Sequence, residues 1–381
     1  MNEQFESGST GLRIYNAHDE SGYREWMRAW RCSSRSSVFH HPDYVRLFAT
    51  SDSIPCCAVF EVDGAPAIMY PFIERPIAYG TRNLADITSP YGYGGALALT
   101  PSELAPSESN CDTARFWNAF DRWCVGQGIV SEFIRNSLDE KSLVVGPGPT
   151  VYDRVNYVVD LTRSPDHLWR SFEHKVRKNV ATARRSGVVV SFDTNGDRIS
   201  EFMDIYRATM FRRHATESYW FPAEFFETIA SSLRGNYVAV FSEHRGVPVS
   251  CELVLHDDRL AYSFLGGTHS EFFFLRPGDL LKFEVIRWLK EKGLEKFVLG
   301  GGASPGDGIE RFKKSFAPHG EVDFRVTRRV HDPEVYDLLT RSHFAGAGLP
   351  YPCGEGPHFF PQYRADLSSC ISAAAREPTA V

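Results

Sequence analysis

Helix-period and strand-period segments alternate along almost the whole of this 381-residue chain, an order that belongs to layered α/β architectures and not to helix bundles or all-β sandwiches. In the first half, residues 21–31 predict a short amphipathic helix with Tyr23, Trp26, Met27 and Trp30 on one side. Residues 58–62 and 67–72 predict strands joined by Asp63-Gly64, a strong hairpin signal. A helix over 114–126 and a strand over 129–134 follow, and then Gly146-Pro147-Gly148-Pro149 interrupts the pattern. The second half repeats the order more clearly. A strand over 157–161 leads into a long helix that opens at Ser164-Pro165, an N-cap followed by Pro at the first position, and closes at Gly187. A strand over 188–192, helices over 199–213 and 223–233, and strands over 237–241, 247–255 and 260–265 come next. A helix over 279–292 and a strand over 296–299 complete the run.

The first half reads as a looser copy of the second, so we expect two tandem α/β lobes with mixed sheets. The boundary is expected near Thr162. The first lobe should run over 11–161 and be completed by a return of residues 330–364, with the second over 162–329. The ends, 1–10 and 365–381, are polar or rich in Ser and Ala and predict flexible tails.

Length alone favours two domains, and 43% hydrophobic with 24% charged residues is the balance of a soluble globular chain. Apolar runs such as 237–241 are too short to cross a bilayer, and the N-terminus has no signal-type apolar segment, so a cytoplasmic location is expected. A formal net charge of −6 argues against a protein that coats nucleic acid indiscriminately, but not against a local basic patch. Eight cysteines occur without a Cys-x-x-Cys spacing or a completing His pair. They read as reduced thiols, and neither a metal nor a cofactor is expected.

The helix from Ser164 carries two stripes. Leu168, Phe172, Val176, Val180 and Ala183 recur at core spacing. Lys175, Lys178, Thr182 and Arg185 lie on another face, flanked by Arg177 and Arg184. In an acidic chain, a basic strip two turns long is either a solvated helix face or a track for phosphates. A second cluster, Arg207, Arg212, Arg213 and His214, ends the next helix. Later, Gly300-Gly301-Gly302-Ala303-Ser304-Pro305-Gly306-Asp307-Gly308 follows a strand but lacks the Gly-Lys-Ser/Thr ending of a phosphate loop and matches no dinucleotide fingerprint. Beyond it, Phe312 and Phe316 pair at i, i+4 and place Lys313 on a short helix.

These segments, in this order, resemble the FemX/FemA/FemB family of tRNA-dependent transferases that build peptidoglycan cross-bridges. The likeness is carried by the basic helix 175–187, Tyr262-Ser263-Phe264-Leu265-Gly266-Gly267, helix 280–293, Phe297-Val298-Leu299-Gly300-Gly301 and Phe312-Lys313. In the first half it is carried by residues 86–95. The resemblance covers roughly 35–330 and implies two GNAT-type acetyltransferase lobes that use no acetyl-CoA. It implies that Phe312 and Lys313 serve aminoacyl transfer, and that Tyr262 with Arg212 or Arg213 contacts the acceptor. It also implies that a basic residue near Arg46 meets the acceptor's diphosphate. The chain lacks the long charged helical hairpin of FemA-type members, so a soluble acceptor is expected, either a wall precursor or a peptidyl intermediate such as that of a nucleoside antibiotic.

Simple electrostatics bears on the donor independently. An acetyltransferase cradles pyrophosphate on helix N-terminal amides, whereas here the segment reads Leu275-Arg276-Pro277-Gly278-Asp279-Leu280. Pro277 removes a donor and Asp279 repels phosphate. Aminoacyl-tRNA is therefore the expected donor, with Lys175, Arg177, Lys178, Arg184 and Arg185 as the phosphate track. Lys313 is expected to stabilise the tetrahedral intermediate, and Phe312 to fix the terminal adenosine or the acyl group. A CoA-dependent N-acyltransferase and a non-catalytic binding protein of this fold are the rival readings.

Overall fold

The computed structural model describes residues 10–33, 36–99, 106–351 and 359–368. In chain order the first elements are β1 (Gly11–Asn16), α1 (Glu20–Arg31), α2 (Pro42–Arg46), β2 (Ile54–Val62), β3 (Ala65–Tyr79), β4 (Arg82–Thr88) and β5 (Ala96–Ala98). Then come α3 (Pro106–Gln127), β6 (Ile129–Arg135), β7 (Leu143–Val144), β8 (Thr150–Asp160), α4 (Pro165–Ser171), α5 (His174–Arg185) and β9 (Val188–Asp193). The remainder is α6 (Ile199–Arg212), α7 (Ala223–Ser232), β10 (Tyr237–His244), β11 (Val247–His256), β12 (Leu260–Thr268), α8 (Pro277–Glu291), β13 (Lys296–Gly300), α9 (Gly308–Phe316), β14 (Glu321–Val330) and α10 (Pro333–Gly346).

The chain divides into two compact units, one of residues 1–33, 48–151 and 325–381 and the other of 34–47 and 152–324. The sequence reading has 34–47 in the first lobe, whereas the division counts it with the second. The C-terminal part does return to the first unit: Val335, Leu339 and Tyr363 pack with Val130. Of the expected flexible tail, Ala365–Ser368 lies within the described residues and Leu367 is buried. The other tail residues lie outside them.

Each unit holds a mixed sheet of the same plan. In the first, β1, β2, β3, β4, β6 and β14 lie in that order, with β4 and β6 parallel and their other neighbours antiparallel. In the second the order is β8, β13, β12, β11, β10, β9, with only β12 and β13 parallel. Parallel neighbours need a crossover, and α3 and α8 supply it in the two units. Two tandem GNAT-like α/β lobes result. The Asp63-Gly64 hairpin forms as its sequence predicts, with φ of 51° and 80° at the two turn residues.

One expected element differs. The single helix over 164–187 is two helices, α4 and α5, parted at Phe172-Glu173. Nothing in the local propensity breaks it. Phe172 turns extended, with ψ 147°, and buries its ring edge-on to Phe316 at 5.5 Å and Phe283 at 6.3 Å. The Arg177 guanidinium then satisfies the carbonyls of Arg170, at 3.1 Å, and Phe172. Burial of a phenylalanine outweighs the few helical hydrogen bonds lost. The predicted core stripe of Leu168, Phe172, Val176, Val180 and Ala183 is nonetheless buried throughout.

Candidate active site

The second unit opens where its parallel pair comes apart. β12 and β13 are in register from Leu260–Lys296 to Tyr262–Val298, so Ser263 is the first β12 residue past the last pairing. Main-chain groups released by such a splay need other partners or a ligand. In the first unit the corresponding end of the β4/β6 pair is stitched by its own chain. There Ser89 donates its amide to Phe133 at 2.9 Å and receives the Arg135 amide on Oγ at 2.8 Å.

On the β13 side the chain turns at Gly300, with φ 78°, into a loop that two acidic side chains organise. Asp307 caps α9, taking the Glu310 amide at 2.7 Å and the Ala303 and Ser304 amides at 2.8 and 3.1 Å. Glu310 reaches back to the Gly306 amide at 2.6 Å and accepts the Tyr157 hydroxyl at 3.0 Å. This is capping-box logic with aspartate at the cap. It seats Gly301 so tightly that a Cβ there would lie 2.5 Å from the Val155 carbonyl oxygen. Close packing, not phosphate binding, is what the glycine serves here.

Lys313 projects from α9 and donates from Nζ to the Gly301 carbonyl at 2.7 Å. Loss of hydration, and secondly the charge of Lys282, pull its pKa from the ordinary lysine value to about 8, while Glu252 and Asp307 resist. Phe312 packs against the core and meets Phe316 at 5.2 Å, so it anchors the helix that aims Lys313.

Behind the splay lies a cluster that sequence reasoning missed. Glu252 of β11 and Lys282 of α8 are both 5% exposed and form an ion pair. Ser263 Oγ donates to Glu252 at 2.6 Å and accepts from Lys282 Nζ at 2.9 Å. The signal was present: Glu252 interrupts a stretch that otherwise reads as core, Val249–Leu255, and Lys282 falls at core spacing with Val285, Ile286 and Leu289. Asn156 of β8 was missed too. It is 2% exposed, its Oδ1 lies 3.3 Å from where a Gly301 Cβ would sit, and its Nδ2 has no hydrogen-bond partner. A buried donor left unsatisfied is costly and points to a ligand acceptor.

The residues expected at the acceptor are placed as follows. Tyr262 is buried beneath Phe39, ring centroids 4.6 Å apart, and Tyr44 of the same segment meets Phe264 at 6.2 Å. The segment carrying Arg46 thus packs on β12, and Arg46 reaches Asp43 at 3.3 Å. Arg212 binds the Thr268 carbonyl at the end of β12 at 3.2 Å and lies over the Phe273 ring, 4.8 Å from its centroid. Arg213 caps the end of α6 and is exposed. Of that pair, Arg212 is the one tied to the strand of Tyr262.

The basic strip on α5 is shorter than its sequence suggests. Arg177 is engaged in joining α4 to α5, Arg184 pairs with Glu284 at 2.7 Å, and Lys175 pairs with Glu173 at 3.2 Å. Lys178 and Arg185 are exposed and have no carboxylate partner among the described residues. At the N-terminus of α8, Asp279 accepts from Asn179 Nδ2 at 3.1 Å, and burial raises its pKa.

A parallel strand pair joined by a helix and splayed at its far end defines the acetyltransferase (GNAT) fold, and residues 170–314 match the family model of the acetyltransferase (GNAT) domain. Across both units the fold is that of FemX. The crystal structure of FemX matches with a TM-score of 0.61 at 12% identity, over 83% of this chain and 98% of that one. The C-terminal domain of a protein described as a lysylphosphatidylglycerol synthetase, from Agrobacterium fabrum, matches with a TM-score of 0.51 at 13% identity, over 82% and 94%. No protein of curated function matches the chain in sequence.

Proposed function

We propose that the protein is an aminoacyl-tRNA-dependent transferase that joins a tRNA-borne amino acid to the amine of a soluble peptide acceptor, a peptidoglycan precursor or a peptidyl natural product such as a nucleoside antibiotic. The observation that carries this reading is Lys313, desolvated at the mouth of the β12/β13 splay and pinned to the Gly301 carbonyl. An aminoacyl ester is already activated, so its transfer requires positioning and a charge to meet the developing oxyanion. Below about pH 8 Lys313 is a cation, and its partial dehydration strengthens every interaction it makes with an anion.

The geometry of α8 supports this choice of donor. A nucleotide thioester would lay its pyrophosphate on the first-turn amides, but the Asp279 carboxyl and its Asn179 partner occupy that turn, and Pro277 has no N–H to give. Lys178 and Arg185 offer a short track for RNA phosphates nearby. Arg212 and the segment of Arg46 are assigned to the acceptor, whereas Tyr262, buried beneath Phe39, supports that segment from below. Transfer needs no metal or cofactor.

The reading is tested by incubating the protein with a total pool of charged tRNA and candidate acceptors, with and without ribonuclease, and reading the mass gain of the acceptor. A ribonuclease-sensitive gain of one amino-acid residue is expected. A Lys313→Ala variant should lose on the order of 10²-fold or more in single-turnover transfer. Product formed without tRNA when acetyl-CoA is supplied would refute the reading.

A further inference from the structure

We propose that Ser263 and Glu252, held by Lys282, form the proton acceptor of the transfer reaction. This rests on the aminoacyl-tRNA reading above and supplies the base that reading lacks: an attacking amine must shed a proton, and Lys313, hydrogen-bonded to Gly301, is a donor.

Three observations converge. Ser263 occupies the first position of β12 beyond its pairing with β13, and is half-buried while the two residues behind it are buried. Its hydroxyl hydrogen is committed to Glu252 at 2.6 Å and one Oγ lone pair takes the Lys282 ammonium at 2.9 Å, which leaves the second lone pair for an incoming N–H. That direction lets a proton arrive at Oγ as the serine's own proton passes to the carboxylate. Lastly, an ion pair carries a desolvation cost that two apolar side chains would avoid, and this one stands within electrostatic reach of Lys313.

Lys282 faces Glu252 from α8, with its ammonium 5.0 Å from the Phe297 ring centroid of β13. Val240 of β10, opposite Glu252 in the sheet, is apolar. Lys313 of α9 feels both Lys282 and Glu252, and also Asp307 of the loop and Arg154 of β8. Lys282 is thus a positioning residue: it orients Ser263 and pairs with the Glu252 carboxylate.

The step balances without a further reactant. The amine nitrogen bonds to the ester carbonyl carbon and its proton moves through Ser263 to Glu252. The C–O bond to ribose then breaks, and the leaving oxygen takes the proton back by the same route.

The test is single-turnover transfer from charged tRNA by the full chain across pH 6 to 9. Ser263→Ala should lose about 10²-fold near pH 7, and its remaining rate should rise more steeply with pH than the wild-type rate, because hydroxide must then take the proton that the relay no longer accepts. Ser263→Thr, which keeps the hydroxyl, should restore the wild-type profile. Glu252→Gln should show the same altered profile as Ser263→Ala. A Ser263→Ala variant with the wild-type rate and profile overturns the relay while the tRNA reading stands. Ser263→Ala that is slower at every pH with an unchanged profile overturns it equally, since that marks a structural role. Absence of any transfer by the wild-type chain overturns both.

Discussion

Replacing Lys313 by methionine should make the protein more stable at pH 7 and inactive. The fall of the Lys313 pKa from 10.5 to about 8 means that the fold opposes its charge. At about 1.4 kcal/mol per pH unit, the cost of holding the cation at pH 7 is about 3 kcal/mol. Lys313 is partly exposed, so solvent screening reduces this. The lost bond to the Gly301 carbonyl subtracts about 1 kcal/mol more, leaving a net gain on the order of 1–2 kcal/mol for Lys313→Met. The pH dependence fixes the sign. The folded pKa lies below the unfolded value, so below about pH 8 lysine is charged in both states and the penalty is complete. Between about 8 and 10.5 the unfolded chain binds more protons than the folded one, and wild-type stability rises through that window. The advantage of Lys313→Met should therefore shrink over the same range and be gone above it. Urea unfolding of both proteins at pH 7 and pH 10, followed by tryptophan fluorescence, measures the difference, in which the titrations of groups not coupled to Lys313 cancel. A variant less stable at pH 7, or a difference that does not change with pH, refutes the claim that the site strains its lysine.

Gly301→Ala should destabilise the chain by about 2 kcal/mol or more, because its Cβ would meet the Val155 carbonyl oxygen at 2.5 Å; denaturant midpoints check this. Asn156→Ala should change stability by less than about 1 kcal/mol, since its Nδ2 makes no internal hydrogen bond, yet lower transfer by at least tenfold, read as kcat/KM for the acceptor. The pair Lys178→Glu and Arg185→Glu should weaken binding of charged tRNA and flatten its dependence on salt by about two phosphate contacts, in filter binding from 50 to 200 mM salt. The same changes at Arg177 should instead destabilise α4, because its guanidinium serves the Arg170 and Phe172 carbonyls.

Much was legible in the sequence because it is local. Apolar spacing marks α6, α7 and α8 to within two residues of their observed ends, and the Asp63-Gly64 turn is a property of its own φ angles. Two repeats of one helix-and-strand order indicate two lobes. Lys313 could be singled out, though by family likeness and not by anything a lone lysine displays.

Tertiary packing decided the rest. The division of the 164–187 helix depends on a pocket for Phe172 built from Phe283 and Phe316, more than a hundred residues downstream. The cluster of Glu252, Ser263 and Lys282 spans two strands and a helix, and the shifted pKa of Lys313 comes from neighbours that only folding assembles. Secondary structure follows from near-neighbour sterics and periodicity, whereas dehydration and Coulomb coupling depend on distances in space, which a linear order of residues does not contain.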